Sequence, residues 1–154
     1  MLHIVLYQPE IPPNTGNIIR LCANTGTALH LIRPLGFEMT KKSLRRASLD
    51  YSELAKVLDH TNLKEMKKNL PNKKYYAVST KGVTSLYKTR FNKGDILLFG
   101  NETKGLPQKV LSSEDCLDVI RIPMTHDSRS INLSNAVAIV LFEALRQLNY
   151  PRMA

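Results

Sequence analysis

The sequence predicts an α/β fold: a single, mostly parallel sheet flanked by helices, within one domain covering residues 1–154. Strand-like and helix-like segments alternate along the chain, the pattern that builds parallel sheets through helical crossovers. One run, Ile96-Leu97-Leu98-Phe99, has the length and composition of a buried strand. No internal repeat, low-complexity tract or evident linker interrupts the 154 residues, which are enough to bury a substantial core.

Taken in order, Leu2 to Tyr7 is apolar and β-rich and makes the first expected strand. The prolines and glycine of Glu10 to Gly16 mark a loop. Asn17 to Thr25 follows as a helix, with Ile18, Leu21 and Cys22 on one face and Gly26 as its stop. Leu29 to Ile32 is a second strand, ended by Arg33-Pro34. Thr40 to Asp50 is basic and helical in part. Glu53 to Leu70 has mixed helical periodicity, with Leu54, Val57, Leu58, Leu63, Met66 and Leu70 inward and Lys64, Lys67 and Lys68 on a solvated side. Tyr75 to Ser79 is a strand with Thr80-Lys81-Gly82 as its exit loop. Ile96 to Phe99 and Leu117 to Ile122 complete the strands. Leu133, Ala136, Val137, Val140, Ala144, Leu145 and Leu148 set the apolar stripe of a long last helix. Ile139, Leu141 and Phe142 widen that stripe beyond one core face, as a dimer interface would require.

The hydrophobic fraction of 43% and charged fraction of 23% are those of an ordinary soluble protein. Lysine and arginine number 22 against 13 acidic residues, a net charge of +9. Such a balance points to a polyanionic partner, most simply nucleic acid, against the plainer alternative of a solvated lysine face. No run approaches the length of a membrane-spanning helix, and the start, MLHIVLY, lacks the layout of a signal peptide. A cytoplasmic protein is therefore expected. Cys22 and Cys116 have no metal-type or redox-type spacing and read as buried thiols.

Three loops broken by glycine or proline follow strands: Thr80 to Gly82, Gly100 to Pro107, and Pro123 to Ser130. They offer backbone N–H and C=O groups rather than clustered charges, which suits an adenine edge or ribose, with Val78, Ile122 and Leu133 packing a ring. A glycine that ends a strand, as Gly100 does, admits close approach of another molecule. Gly100 and Gly105 do not form a phosphate loop, because Leu106-Pro107 stand where Lys and Ser/Thr are needed. A polar cluster lies at Asn14-Thr15-Gly16-Asn17, with Arg20 one helical turn on. His3, His30, His60 and His126 show no metal-ligand spacing, and His126-Asp127-Ser128 reads as a polar loop rather than a triad.

Together, NTGNIIRLCANTG (residues 14–26), LLFGNETKGLP (97–107) and IRIPMTHDSRSINLSNAVAIVLFEALRQL (120–148) resemble the three motifs of the SPOUT RNA methyltransferases. LRRASLDY (44–51) and the start LHIVLYQPEIPPNTGN extend the resemblance over nearly the whole chain. It is closest to the minimal type that methylates the ribose 2′-hydroxyl of the tRNA wobble nucleotide. The resemblance implies a C-terminal deep trefoil knot, an exception among folds, and a homodimer.

It also implies S-adenosylmethionine as cofactor, S-adenosylhomocysteine as product and no metal. Cofactor contacts would fall at Val78, Gly100, Ile122 and Ser130, with Thr80, Glu102, Gly105, Met124 and Leu133 nearby. Arg20, the arginine of the first motif, would be the catalytic group, acting by position and charge because a guanidinium stays protonated. Asn14, Glu102, Ser130 and Asn132 would shape that site, Asn14 and Ser130 as its catalytic partners. Lys41, Lys42, Arg45, Arg46, Arg121 and Arg129 would grip RNA phosphates. Leucine tRNAs, modified at cytidine or modified uridine of the exposed anticodon loop, are the implied substrates. Two departures stand out: Asn101 where the family often has Pro or Ser, and Lys104, which lacks the bidentate fork of the usual Arg. The alternatives are a SPOUT enzyme acting on another tRNA or rRNA site, and a non-catalytic RNA-binding module.

Overall fold

A computed structural model describes residues 1–38 and 57–151. The basic stretch from Thr40 to Asp50, including Lys41, Lys42, Arg45 and Arg46, lies outside the described residues.

Seven strands form one sheet: β1 (His3–Tyr7), β2 (Ala28–Ile32), β3 (Val57–His60), β4 (Tyr75–Val78), β5 (Thr84–Ser85), β6 (Ile96–Phe99) and β7 (Cys116–Arg121). Their order is β3-β2-β1-β6-β4-β7-β5, and every pairing is parallel. Among the described residues four α-helices accompany the sheet: α1 (Pro12–Thr25), α2 (Leu63–Asn69), α3 (Gln108–Leu111) and α4 (Leu133–Gln147). β6 sits in the centre with all four side chains buried, as its unbroken apolar run requires of a parallel strand covered on both faces.

The alternation of side chains across the strands divides the core into two layers. On one face Ile4, Leu6, Leu29, Leu31, Leu97 and Phe99 pack with Ile18, Ile19 and Cys22 of α1 and with Val137, Val140 and Leu141 of α4. On the other, Val5, Ile32, Ala77, Ile96 and Leu98 meet Met66 of α2 and Val110 and Leu111 of α3. Leu141, read from sequence as surplus to the core, is fully buried. Phe142 is the residue of that group left out, at 41% exposure.

The first helix starts earlier than its prolines implied. Pro12 and Pro13 occupy its first positions, where a backbone N–H would have no intrahelical acceptor and its loss costs nothing. Asn14 N–H then donates to the Ile11 carbonyl at 3.1 Å, so residues 12–16 are helix, not loop. At the other end Gly26 adopts φ 64°, and Gly26 and Thr27 both donate to the Cys22 carbonyl.

Val57–His60 is the second departure. The helical periodicity of Glu53 to Leu70 gives way to an edge strand in register with β2, leaving Leu58 48% exposed instead of inward. Tertiary pairing overrides the local pattern there. α2 begins only at Leu63: Asn62 Oδ1 accepts from Glu65 N at 2.9 Å, and the Glu65 carboxylate accepts from Thr61 N and Oγ1 at 2.6 Å. β5 and α3, of two and four residues, are too short to register as sequence periods.

Leu141→Ala is expected to lower unfolding free energy by about 2–5 kcal/mol, read from urea denaturation. A change below about 1 kcal/mol would return Leu141 to the surface role that the stripe implied.

Candidate active site

The loops that leave β4, β6 and β7 emerge side by side, because these strands are neighbours in the sheet and all run the same way. The carboxyl edge of such a sheet is where ligand sites form. A cavity of about 420 Å³ opens there, lined by Val78 to Lys81 from the first loop, Phe99 to Leu106 from the second, and Arg121, Ile122, Met124 and Arg129 to Leu133 from the third. Ile11 and Asn14, at the start of α1, and Ala136 of α4 complete the wall.

All nine positions expected around the cofactor line this one cavity: Val78, Thr80, Gly100, Glu102, Gly105, Ile122, Met124, Ser130 and Leu133. So do Asn14, Arg121 and Arg129, together with Lys81 of the β4 exit loop. Arg20 lies elsewhere. It is on the exposed stripe of α1 with Pro13, Asn17 and Asn24, while Asn14, Ile18 and Cys22 face inward. The polar cluster read at 14–17 plus Arg20 is thus split between two faces of one helix.

Glu102 ties the loops together. Its carboxylate accepts from Glu10 N at 2.8 Å, Ile11 N at 3.0 Å and Asn14 Nδ2 at 3.1 Å. With both prolines lacking N–H, this carboxylate serves the start of α1 as a cap drawn from far along the chain. The positive end of the helix favours the charge there. Asn14 Oδ1 in turn accepts from Asn132 Nδ2 at 3.0 Å, and Asn132 Oδ1 caps α4 through Ser134 N at 2.9 Å. A second bond, Thr103 Oγ1 to Glu10 Oε2 at 2.5 Å, doubles the link. One hydrogen-bonded line therefore joins the β6 loop, α1 and α4.

Gly100 lines the cavity, and it also makes room for the chain itself: a Cβ on it would overlap the backbone of Gly105 and Leu106, where the loop returns. That loop is closed by Gly105 N donating to the Asn101 carbonyl at 3.1 Å and Lys104 N to Asn101 Oδ1 at 2.7 Å, with Gly105 at φ 65°. Gly82 is similar: its Cβ would come 2.6 Å from the Val119 carbonyl oxygen. Neither cysteine offers a nucleophile, since burial pushes the Cys22 thiol up to about 12 and raises Cys116 as well. The triad-like run His126-Asp127-Ser128 is part of an exposed turn in which Ser128 N donates to the Thr125 carbonyl at 3.1 Å.

The cavity holds Lys81, Lys104, Arg121 and Arg129 against one carboxylate, Glu102, which is already bonded within the protein. Its volume and its mixture of apolar walls with loop backbone suit a nucleoside-sized ligand, and its charge suits an anionic neighbour.

Residues 1–142 match the SpoU rRNA methylase family. The chain belongs to that family. Among curated relatives, the tRNA (cytidine(34)-2′-O)-methyltransferase of Escherichia coli K12 is 52% identical over 151 residues, covering 98% of this chain and 96% of the relative. A solved structure concerned with 2-OH methylation of C/U34 on tRNA superposes with a TM-score of 0.89 at 46% identity, covering 97% of each chain. The SpoU methyltransferase AviRb from Streptomyces viridochromogenes, solved with AdoMet, shares the fold at TM-score 0.84 and 24% identity, over 97% of this chain and 61% of that one.

For the SpoU-family cavity, Glu102→Gln places an amide N–H₂ against one of three N–H donors. It should lower unfolding free energy by about 1–3 kcal/mol, read by denaturant titration. An unchanged midpoint would show that the carboxylate does not hold the loops.

Proposed function

We propose that the protein is a tRNA 2′-O-methyltransferase that modifies nucleotide 34, a cytidine or modified uridine, in the anticodon loop of leucine tRNAs. The observation that carries this reading is the convergence of the β4, β6 and β7 loops with Asn14 on one cation-lined cavity. Its relatives' named activity at C34 or C/U34 gives the position. The leucine specificity rests on the motif resemblance.

The cofactor in this reading is S-adenosylmethionine, which when bound supplies an electrophilic methyl group and leaves as S-adenosylhomocysteine. The AdoMet complex of AviRb supports the choice. The cavity fits such a group in volume and in its pairing of apolar Val78, Ile122 and Leu133 with the polar groups of Thr80 and Ser130. Gly100 and Gly105 shape the loop that forms its wall, beside Met124. Glu102 acts on the site indirectly, through the placement of Asn14.

The acceptor is a ribose 2′-hydroxyl, a weak nucleophile until its proton begins to leave. O2′ would receive the methyl group supplied by the bound cofactor, with the hydroxyl proton passing to solvent water. Arg20 stabilises the charge developing on that oxygen and orients the adjacent phosphate. Asn14 and Ser130 position the ribose, Asn14 held by its bonds to Glu102 and Asn132. Arg121 and Arg129 at the cavity, with Lys41, Lys42, Arg45 and Arg46, contact the RNA backbone.

The proposal extends to architecture. Residues 1–154 act as one domain in a cytoplasmic homodimer, with Phe142 on the exposed side of α4 as a candidate interface residue. The insertion of β6 between β1 and β4, and of β7 between β4 and β5, supports a chain threaded as a deep trefoil knot.

Incubation with total RNA and labelled cofactor should place label at nucleotide 34 of leucine tRNAs, and label at another site would overturn the assignment. Arg20→Ala should lose turnover by about 10²-fold or more while calorimetry still records S-adenosylmethionine binding. Retained turnover would remove Arg20 from the reaction, and absence of binding by the unaltered protein would favour a plain RNA-binding module. With roughly four phosphate contacts or more, tRNA affinity should fall steeply as salt rises; a flat salt response would count against phosphate-driven docking.

A further inference from the structure

Three histidines far apart in sequence meet on one face of the sheet, away from the cavity. His3 Nδ1 lies 3.0 Å from His30 Nε2, and His30 Nδ1 lies 3.0 Å from His60 Nε2, crossing β1, β2 and β3. The ring centroids are 5.2 Å apart in both pairs, with interplanar angles of 41° and 17°. Centroids farther apart than the nitrogens by about two ring radii mean that the rings meet edge to edge, each pair sharing one N–H···N bond. His30 and His60 are almost wholly buried, and His3 is half-buried.

A neutral imidazole carries one N–H, so three rings hold three protons, and two of these fill the two gaps. The direction of the ladder follows from its inner end. His60 Nδ1 is buried and has no hydrogen-bond partner among the described residues. If the bonds ran toward His60, that atom would be an orphaned N–H; if they run from it, a bare lone pair. Orphaned buried N–H groups are the rarer case. The bonds therefore run from His60 Nε2–H to His30 Nδ1, and from His30 Nε2–H to His3 Nδ1, leaving His3 Nε2–H toward the half-exposed end.

One added proton can go to His60 Nδ1 and leave both gaps intact, at the cost of a buried N–H without an acceptor. A second cannot: wherever it is placed, two N–H groups face each other across one gap. We propose that His3, His30 and His60 form a proton-limited fastener that holds the β3 edge to the sheet, tolerates one proton, and opens when a second arrives.

The surroundings agree with this. Lys73 and the N-terminal amine bear on His3, while burial pushes His60 down against the opposing pull of Glu65 and Asp59. Asp59 is also forked to Arg33, and Glu65 is bonded to Thr61. Met66 of α2, on the same face, adds no charge. Burial first, then these like-charged neighbours, pushes His3 down to about 4; burial and the two flanking rings do the same to His30, also to about 4. The unfolded chain takes up protons near 6.5, so between about 6.5 and 4 it holds more protons than the fold, and stability falls as pH falls. β3 lies at one edge of the sheet and pairs with β2 alone.

Amide hydrogen exchange on the full chain, corrected for intrinsic rates, tests the fastener. Protection of residues 57–60 relative to residues 96–99 should drop on the order of tenfold or more between pH 7 and pH 4.5. Histidine ¹⁵N shifts at pH 7 should report Nε2–H tautomers for His30 and His60. His30→Gln, whose amide can both accept and donate but cannot titrate, should weaken the acid dependence at β3. Constant relative protection over that range, a ring titrating near 6.5, or Nδ1–H tautomers would each overturn the proposal.

Discussion

The carboxylate of Glu102 is the contact on which the shape of the cavity depends. It reaches from the β6 loop to two backbone N–H groups that precede α1 and to the Asn14 amide. Ile11 occupies the cap position and has no side-chain acceptor, so the start of α1 takes its carboxylate from the β6 loop. The helix start and the loop are thus mutually dependent: each supplies what the other lacks. A bond between residues about ninety positions apart fixes two walls of one cavity, and the Asn14–Asn132 bond extends the constraint to the third.

Sheet order turns that local bond into a site. β6 lies between β1 and β4, and β4 between β6 and β7. The turn leading into α1 therefore opens beside the loop after β6, and the loops after β4 and β7 are next in line. Gly100 and Gly82 permit this crowding from within: one lets the β6 loop fold back upon itself, the other lets the β4 exit turn lie against β7. Neither needs a ligand to explain it. The cavity is what remains once the protein's own backbone has packed as closely as its glycines allow.

Much of this architecture was legible in the residues because the signals were local. The buried run at Ile96–Phe99, the β-rich start and the periodic last helix each announced themselves within a few turns of chain. What stayed hidden was set by partners distant in sequence. Pro12 and Pro13 look like loop residues until the helix they begin is seen to need no N–H from them. Val57–His60 reads as helical until β2 offers a strand to pair with. The return of residues 105–106 against Gly100 has no signal in the sequence around that glycine. The cofactor-type positions converged because the loops carrying them follow adjacent strands. The histidine ladder left no trace, since its members are separated by 27 and 30 residues and share no motif.

Arg20 stands apart from the cavity. Six residues beyond Asn14, it lies about 9 Å along the helix axis and on the stripe that faces outward. Asn14 points into the cavity and Arg20 does not. A guanidinium so placed can act on a ribose in two ways: RNA lies across the outer face of α1 and folds into the cavity, or a second subunit brings its own cavity to that face. The second route needs no sharp bend in the RNA and puts the exposed stripe of α1 at the boundary between subunits. Within the proposed homodimer, each active site would then draw its cofactor walls from one chain and its electrostatic group from the other. Within that proposal, dimerisation would be part of the catalytic geometry itself.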